Sequence, residues 1–266
     1  NLGEVLLTLD RFAEAGMLFE RAASIAEKSP GGAPDLRAAA LGSLAKQRSA
    51  QGSVDQALAL QRQALQISEQ ALGADHLQVA DALSGLGDLA YAKGDYLQAE
   101  SSARRSLAIR ERQLGSDHPQ VAQSLNNLGA ALTQQVRHDE ARAALERAVI
   151  IIERSTGSDS ADLATALSNL GHQMSASGHA ADAVSVLERA RDIAERNLGP
   201  DHMQVAITLH NLGSVEAELG HASRAVPLLQ RALAIKEKRV GPDHASVAMT
   251  LEQLANLESP PGTLAD

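Results

Sequence analysis

The sequence predicts an all-α protein built from stacked pairs of antiparallel helices, and three observations lead to this prediction. Glycine recurs every 42 residues, at Gly31, Gly73, Gly115, Gly157, Gly199 and Gly241. Within these intervals apolar residues are spaced three or four positions apart, as in Val121, Ala122, Leu125, Leu128 and Leu132. The chain is also rich in Ala, Leu, Glu and Arg, which favour helices over strands. Repeats of roughly 20 to 50 residues are typical of arrays in which each unit packs on its neighbours.

Each repeat divides into two predicted helices. Helix A opens at Asp117 and runs to about Gln135. An aspartate at this point is expected to accept hydrogen bonds from the first free N–H groups of the helix, and the same position is held by Asp75, Asp159, Asp201 and Asp243. Helix B runs from about His138 to Ser155, and its alanines allow helix axes to approach closely, at Ala141, Ala148, Ala183, Ala190, Ala225 and Ala232.

The turn between helices A and B is marked by a glycine, which accepts the left-handed conformation that ends a helix. This glycine is present at Gly52, Gly94, Gly178 and Gly220. In one repeat the position is held by Val136, so we predict that this turn is more strained or differently shaped.

We expect one domain over residues 1–258, followed by a flexible tail over 259–266. It would comprise a partial first repeat, five full glycine-to-glycine repeats and a capping helix over 243–258. Asn1 falls in the middle of a repeat, so we expect further sequence upstream. The last helix carries Leu251, Leu254 and Leu257 on one face. No second helix follows it, as expected for a cap that covers the apolar end of an array near a natural C-terminus.

Composition and motifs argue against several functional classes. The chain has no cysteine, which excludes disulfides and thiolate sites. Its net charge of −9 argues against nucleic-acid binding. No apolar stretch is long enough to span a membrane. The absence of cysteine fits a reducing compartment, and we expect a cytoplasmic location.

The nine histidines do not predict a metal site. Four of them follow the helix-opening aspartate, at His76, His118, His202 and His244, and Ser160 holds the position in the remaining repeat. Equivalent positions of stacked helices lie about 10 Å apart, whereas imidazole ligands lie about 2.1 Å from a zinc ion. No H-E-x-x-H, G-x-S-x-G, P-loop or G-x-G-x-x-G motif is present. We therefore expect no enzymatic activity, no metal and no cofactor.

The landmarks of one repeat resemble those of the tetratricopeptide repeat, at Leu170-Gly171, Gly178, Ala183, Leu187 and Ala190. The longer period and the linker LG-x-DHP-x-VA are similar to the 42-residue repeats of kinesin light chains and many bacterial regulatory proteins. The resemblance implies a right-handed α-solenoid in which helices A line a concave groove and helices B form the outer surface. Local departures are Glu216 at a usually apolar position, Arg191 in place of a leucine, and Pro227 inside helix B, which we expect to delay or kink that helix.

The distribution of charge predicts the chemistry of the partner. From Asp117 onward no predicted helix A contains Lys or Arg, so the groove implied by the resemblance is neutral to acidic, and only Lys46 approaches it as a cation. Binding of a carboxylate needs such donors. We therefore expect a protein or peptide partner that is neutral to basic rather than acidic, or the chain's own upstream domain.

A row of asparagines is the candidate binding site. Asn127, Asn169 and Asn211 recur every 42 residues, and each amide can pair with the backbone of an extended peptide. Hydrogen bonding of each amide to a neighbouring helix is an equally open alternative. Flanking this row we expect Asn126, Ser84, Tyr91, Asp88, His172 and His210. A second candidate surface is an outer apolar patch formed by Ile150 and Ile152.

The leading functional prediction is a non-catalytic scaffold that binds an extended peptide or a partner domain in the groove. The alternative is the regulatory or sensor portion of a larger signalling enzyme, such as a bacterial Ser/Thr kinase or protease, with its catalytic domain upstream of residue 1. A third reading is a structural array that mediates oligomerisation.

Overall fold

A computed structural model describes residues 2–8, 11–29 and 33–258. Asn1, Gly31 and the expected tail at 259–266 lie outside these ranges. Within the described ranges all regular structure is α-helical: α1 Leu2–Thr8, α2 Phe12–Lys28, α3 Pro34–Ala50, α4 Val54–Leu72, α5 Leu77–Ala92, α6 Tyr96–Leu114, α7 Pro119–Gln134, α8 His138–Thr156, α9 Ala161–Ala176, α10 Ala180–Leu198, α11 Met203–Glu218, α12 Ala222–Val240 and α13 Ala245–Glu258. The odd-numbered helices are helices A and the even-numbered ones helices B.

The chain forms two compact units, over Asn1–Ala131 and Leu132–Asp266. In unit 1 each helix from α1 to α6 packs on the next one along the chain. Helix α3 also contacts α5. In unit 2 the same order holds from α8 to α13, and α11 contacts both α9 and α13. The predicted all-α array of tandem helix pairs is confirmed. The single domain over 1–258 stays a prediction.

Helices A begin two residues later than predicted, because histidine and not aspartate caps them. The Nδ1 atom of His76 accepts a hydrogen bond from the backbone N–H of Gln78 at 3.1 Å. The same bond is made by His118, His202 and His244, and Ser160 Oγ accepts from the N–H of Leu163 at 3.2 Å. These bonds satisfy N–H groups that lack a partner inside the helix.

Three of the five aspartates that were expected to be caps form ion pairs instead. Each lies two residues before its helix and accepts from a cation near the end of the next helix B, in the pairs Asp75–Arg112, Asp159–Arg196 and Asp201–Lys238. Each of these carboxylates therefore connects the linker before a helix A to the last turn of the helix B that follows it.

The predicted turns between helices A and B are confirmed. The four glycines have positive φ values, and Val136 has a φ of 60°. The hydrogen bonds are those of the glycine turns, since Arg137 N–H donates to Leu132 O at 3.0 Å as Asp95 N–H donates to Ala90 O at 2.9 Å. Val136 therefore keeps the shape of the turn at the expense of a backbone conformation that β-branched residues disfavour.

Close packing within a helix pair depends on the Leu-Gly landmark of helix A. A Cβ atom placed at Gly171 would lie 2.5 Å from Leu187 Cγ, and one at Gly213 would lie 2.7 Å from Leu229 Cγ. The predicted small residues of helices B, such as Ala183 and Ala190, are fully buried. The absence of a side chain on one helix thus allows a leucine of the other to fill the interface.

Two departures in the last full repeat are accommodated without loss of the helix pair. Helix α12 begins at Ala222, in register with the other helices B, so the prediction that Pro227 delays its start was wrong. A proline at the sixth position of the helix removes one backbone bond and leaves the rest of the helix to form. Glu216 is buried and lies 3.1 Å from the Arg224 guanidinium and 2.7 Å from His221 Nδ1.

The prediction of an outer apolar patch was wrong for Ile152. Ile150 is exposed, but Ile152 is only 5% exposed. The counterparts of Ile152 in other helices B are buried as well, at Ser68, Arg110, Ala194 and Lys236. We call these five residues the inward B position. It turns toward helices A, so its occupants cannot form an external surface.

The last helix contributes one well-buried leucine to its unit. Leu254 is buried, whereas Leu251 is exposed, so the three predicted leucines do not share one covered face. None of the helices in the described ranges has the length and apolar character needed to cross a membrane. Those ranges also hold no group of three or more His, Asp or Glu side chains placed to bind a metal ion.

Candidate functional site

A cleft of about 640 Å³ runs along the helices A of unit 1. Its walls come from α3, α5 and α7, and side chains of α4 and α6 form its floor. The polar groups that line it include Lys46, Asp81, Ser84, Asp88 and Arg110. The cleft thus combines two carboxylates, two cations and a hydroxyl group on a surface built by successive repeats.

Arg110 enters this cleft from a helix B. Its side chain is almost completely buried and extends between α5 and α7, where one terminal nitrogen donates to Asp81 Oδ1 at 2.8 Å. The other donates to Ser124 Oγ at 2.9 Å and to Gln120 O at 3.0 Å. The expectation that Lys46 is the only cation near the groove was therefore wrong, because a long side chain at the inward B position reaches past its own helix.

Asp88 forms the second charged centre of the cleft. Its Oδ1 accepts a hydrogen bond from Asn127 Nδ2 at 2.7 Å. The surrounding protein raises the pKa of Asp88 to about 6 by desolvation, opposed by Lys46, Arg110 and the Asn127 hydrogen bond. Asp88 nevertheless remains exposed to solvent on the cleft wall.

The other predicted residues of unit 1 divide between the cleft and its supports. Ser84 lies at the cleft but is buried, with its Oγ 3.0 Å from Ser106 Oγ. Tyr91 packs edge-on against Tyr96, with ring centroids 5.4 Å apart. Asn126 is half-buried on α7. Among these residues, the structure brings Ser84, Asp88 and Asn127 together.

In unit 2 the predicted histidines belong to a different polar cluster. His210 Nδ1 lies 3.1 Å from Thr250 Oγ1, and Lys236 Nζ donates a hydrogen bond to the same oxygen at 2.8 Å. Burial lowers the pKa of His210 to about 4, with further contributions from Lys236 and His172, and burial lowers the pKa of His172 as well. Both imidazoles are therefore neutral at pH 7.

The asparagines of unit 2 are half-buried. Asn211 Nδ2 donates a hydrogen bond at 3.2 Å to Ser168 Oγ, which lies on α9, a neighbouring helix A. Asn169 lies one position before the Leu-Gly landmark of α9. Asn127 and Asn211 thus each hold one hydrogen bond to an adjacent helix A, and a ligand would meet their remaining polar atoms.

Sequence reasoning missed Arg110, Lys236 and Thr250. The signal lay in the repeat register, because Arg110 and Lys236 occupy the same position, where other repeats carry Ser68, Ile152 and Ala194. A cation at a position that is small or apolar in the other repeats indicates a buried charge held by polar partners.

Comparison with known proteins agrees with the repeat architecture. A family model described as "Tetratricopeptide repeat" matches residues 36–112, 82–154, 120–196 and 162–238. No curated protein matches the sequence.

Solved structures give similar folds. BtubC (BKLC) from P. vanneervenii is 24% identical with a TM-score of 0.65, over 86% of this chain and 91% of that one. A protein of Podosopora anserina, described as a kinesin light chain with nearly identical TPR-like repeats, is 25% identical with a TM-score of 0.58, over 77% of this chain and 97% of that one. The Rap protein complexed with Competence and Sporulation Factor is 16% identical with a TM-score of 0.68, over 90% and 68% of the two chains.

Proposed function

The chain belongs to the tetratricopeptide repeat family, with repeats of the kinesin-light-chain-like type, and we propose that it is a non-catalytic scaffold that binds an extended peptide along its helices A. Tandem helix pairs of this kind support a role in protein interaction. The observation that carries the proposal is the cleft of unit 1, which follows successive helices A and is lined with hydrogen-bonding groups.

The chemistry of the cleft suits a peptide backbone. The amide of Asn127 is held in place by its bond to Asp88, and an oriented amide or carboxylate can pair with the N–H and C=O groups of an extended segment. In this proposal the contacts of unit 1 come from Ser84, Asp88, Tyr91, Asn126 and Asn127. Those of unit 2 come from Asn169, Asn211, His172 and His210.

The partner proposed for the cleft of unit 1 is neutral to basic. Arg110 is buried and its charge is compensated by Asp81, whose side chain is 58% exposed. At the surface of the cleft Lys46 is then opposed by Asp88, so the cleft has no net positive charge to attract an acidic segment. The alternative that the chain is a regulatory portion of a larger signalling enzyme remains a prediction.

Filling the cleft tests this proposal. At Gly42 a Cβ atom would meet only Gln61 Oε1 at 3.8 Å, so Gly42→Leu places a side chain in the cleft and replaces glycine by a better helix former. The matched control is Ala108→Leu, at an exposed position of α6. Binding is measured by fluorescence polarisation with a library of uncharged and basic ten-residue peptides.

We expect that the peptides that bind the unmodified protein lose at least tenfold in affinity with Gly42→Leu and less than twofold with Ala108→Leu. Thermal melts of both variants check that they are folded. A library without binders, or binders that ignore the leucine at position 42, would refute the proposal.

A further inference from the structure

The polar centres of units 1 and 2 are built on the same register, three repeats apart. Arg110 corresponds to Lys236, and Ser124 corresponds to Thr250. Arg110 donates to Ser124 Oγ at 2.9 Å and to the carbonyl oxygen of Gln120 at 3.0 Å. Lys236 Nζ donates to Thr250 Oγ1 at 2.8 Å and to the carbonyl oxygen of Ser246 at 3.2 Å. Each unit thus holds one cation between helices A by the same two oxygens.

The two centres differ in the carboxylate. Arg110 is paired with Asp81 at 2.8 Å, but the residue at the position equivalent to Asp81 in unit 2 is Ile207. Lys236 is 4% exposed, and within the described residues its side chain bonds only to neutral oxygens. Burial lowers the pKa of Lys236 to about 8, with no acidic group that raises it.

The remaining substitutions remove one charge of each sign. Lys46 and Ser84 of unit 1 correspond to His172 and His210 of unit 2, which are neutral at pH 7, and Asp88 corresponds to Ser214. Unit 1 therefore balances two cations with two carboxylates. At the equivalent positions unit 2 keeps one ammonium group, that of Lys236, and no acid.

We propose that Lys236, Thr250 and His210 form a receptor for a carboxylate of a partner protein, an Asp or Glu side chain that takes the place which Asp81 occupies beside Arg110. This inference deepens the proposed scaffold function by naming a partner chemistry for unit 2.

The geometry of unit 1 explains how such a group reaches a buried cation. The Asp81 side chain is 58% exposed, yet its Oδ1 contacts a guanidinium that is 3% exposed. Both residues line the cleft of unit 1, so the carboxylate beside the inward B position is in contact with solvent there. In unit 2 the position equivalent to Asp81 is held by Ile207, which is 39% exposed.

The energetics favour a carboxylate as occupant. An ammonium group without a counter-ion is costly to bury, and a charge-assisted bond to carboxylate offsets part of that cost. The unit 1 centre shows that this register holds one carboxylate oxygen against one cation. A glutamate of a partner therefore supplies the group that the chain itself provides in the earlier repeat.

Two substitutions of equal size test the receptor. Ile207→Asp places the missing carboxylate on the chain, whereas Ile207→Asn has the same shape without the charge. Lys236→Ile removes the cation and introduces the side chain that is buried at the equivalent Ile152, so the variant is expected to fold. The probe is a ten-residue peptide of alternating serine and glutamate, compared with its serine–glutamine counterpart and with inorganic phosphate as competitor.

We expect the glutamate peptide to bind the unmodified protein and the Ile207→Asn variant within twofold of each other. Ile207→Asp and Lys236→Ile should each weaken it at least tenfold, and the glutamine peptide should bind at least tenfold more weakly. The inference would be overturned by equal binding of the glutamate peptide to Ile207→Asp and Ile207→Asn, or by the absence of saturable binding. It would also be overturned if inorganic phosphate displaced the labelled glutamate peptide as effectively as unlabelled glutamate peptide does.

Two further measurements separate this inference from the cleft of unit 1. Gly42→Leu should leave binding of the glutamate peptide unchanged, and a loss of binding in that variant would place the peptide in unit 1 and overturn the inference. Titration of the Lys236 side chain by ¹³C NMR should give a higher pKa in Ile207→Asp than in Ile207→Asn. Equal values would show that position 207 does not face the cation.

Discussion

Replacing Val136 by glycine is expected to stabilise unit 2. Val136 has a φ of 60°, in the left-handed region that is unfavourable for residues with a Cβ atom. Its turn keeps the hydrogen bonds of the other repeats, with Val136 N–H donating to Thr133 O at 3.0 Å as Gly94 N–H donates to Tyr91 O at 2.9 Å. The strain is therefore confined to the residue and is not relieved by a different turn.

The expected gain is the difference between three contributions. A left-handed conformation costs an L-residue about 1–2 kcal/mol, and branching at Cβ places valine at the upper end of this range. Glycine costs about 0.5–1 kcal/mol more than other residues to order on folding. The valine side chain is 71% exposed, so its loss removes little buried area. The net stabilisation is about 1 kcal/mol, or roughly 3 °C in melting temperature for a unit of this size.

Urea denaturation followed by circular dichroism measures this change. Val136→Ala keeps the Cβ atom and should recover less than Val136→Gly, because only the branching is removed. The reverse substitution, Gly94→Val, should destabilise unit 1 by a similar amount. A glycine variant with unchanged or lower stability would refute the assignment of strain to this residue.

Three further changes are expected to alter stability. His118→Ala should lower the free energy of unfolding by about 1 kcal/mol through loss of the helix cap. His118→Ser should not, since Ser160 caps the equivalent helix. Equal melting temperatures for the two variants would contradict the capping role. Gly171→Ala should destabilise by roughly 1–3 kcal/mol, because the new methyl group would lie 2.5 Å from Leu187 Cγ, and a urea midpoint at or above that of the unmodified protein would exclude this close approach. Asp88→Asn should raise the melting temperature at pH 7.5 and have little effect at pH 4. The folded-state pKa of Asp88 is about 6, above the ordinary 3.8, so ionisation of Asp88 destabilises the fold as the pH rises through 6. A variant with a lower melting temperature at pH 7.5 would show that the ionised carboxylate stabilises the fold.

The fold could be predicted from the sequence because the 42-residue period repeats both the buried positions and the turn glycines. The positive φ of Val136 followed from its place in that register. The start of helices A did not follow, since aspartate is a preferred cap and histidine is not, yet His76 Nδ1 is the atom that accepts the N–H. Which of them accepts the N–H depends on where the helix begins, and Asp75 is drawn away by its pair with Arg112.

The candidate site could be predicted only in part. The register placed Asp88 and Asn127 on helices A of successive repeats, and the structure joins them by a hydrogen bond. The sequence register could not show that side chains at the inward B position point between helices A, because the apolar Ile152 suggests burial and the charged Arg110 suggests exposure. Arg110 is buried along its whole length and carries its charge past its own helix to Asp81 and Ser124. The sequence pattern alone does not show this reach.

The inward B position also indicates which charges the fold itself requires. Serine, isoleucine and alanine are all buried there, at Ser68, Ile152 and Ala194, so the packing of helices A and B does not depend on a cation. Arg110 is accounted for by Asp81 and contributes to a neutral network. Lys236 has no such partner. Burial lowers its pKa to about 8, so the group is still mainly charged at pH 7 and the folded state bears the cost of desolvating it. A stability cost at a position where neutral residues are tolerated is typical of a functional site, and for an ammonium group that cost is offset when an anionic partner binds.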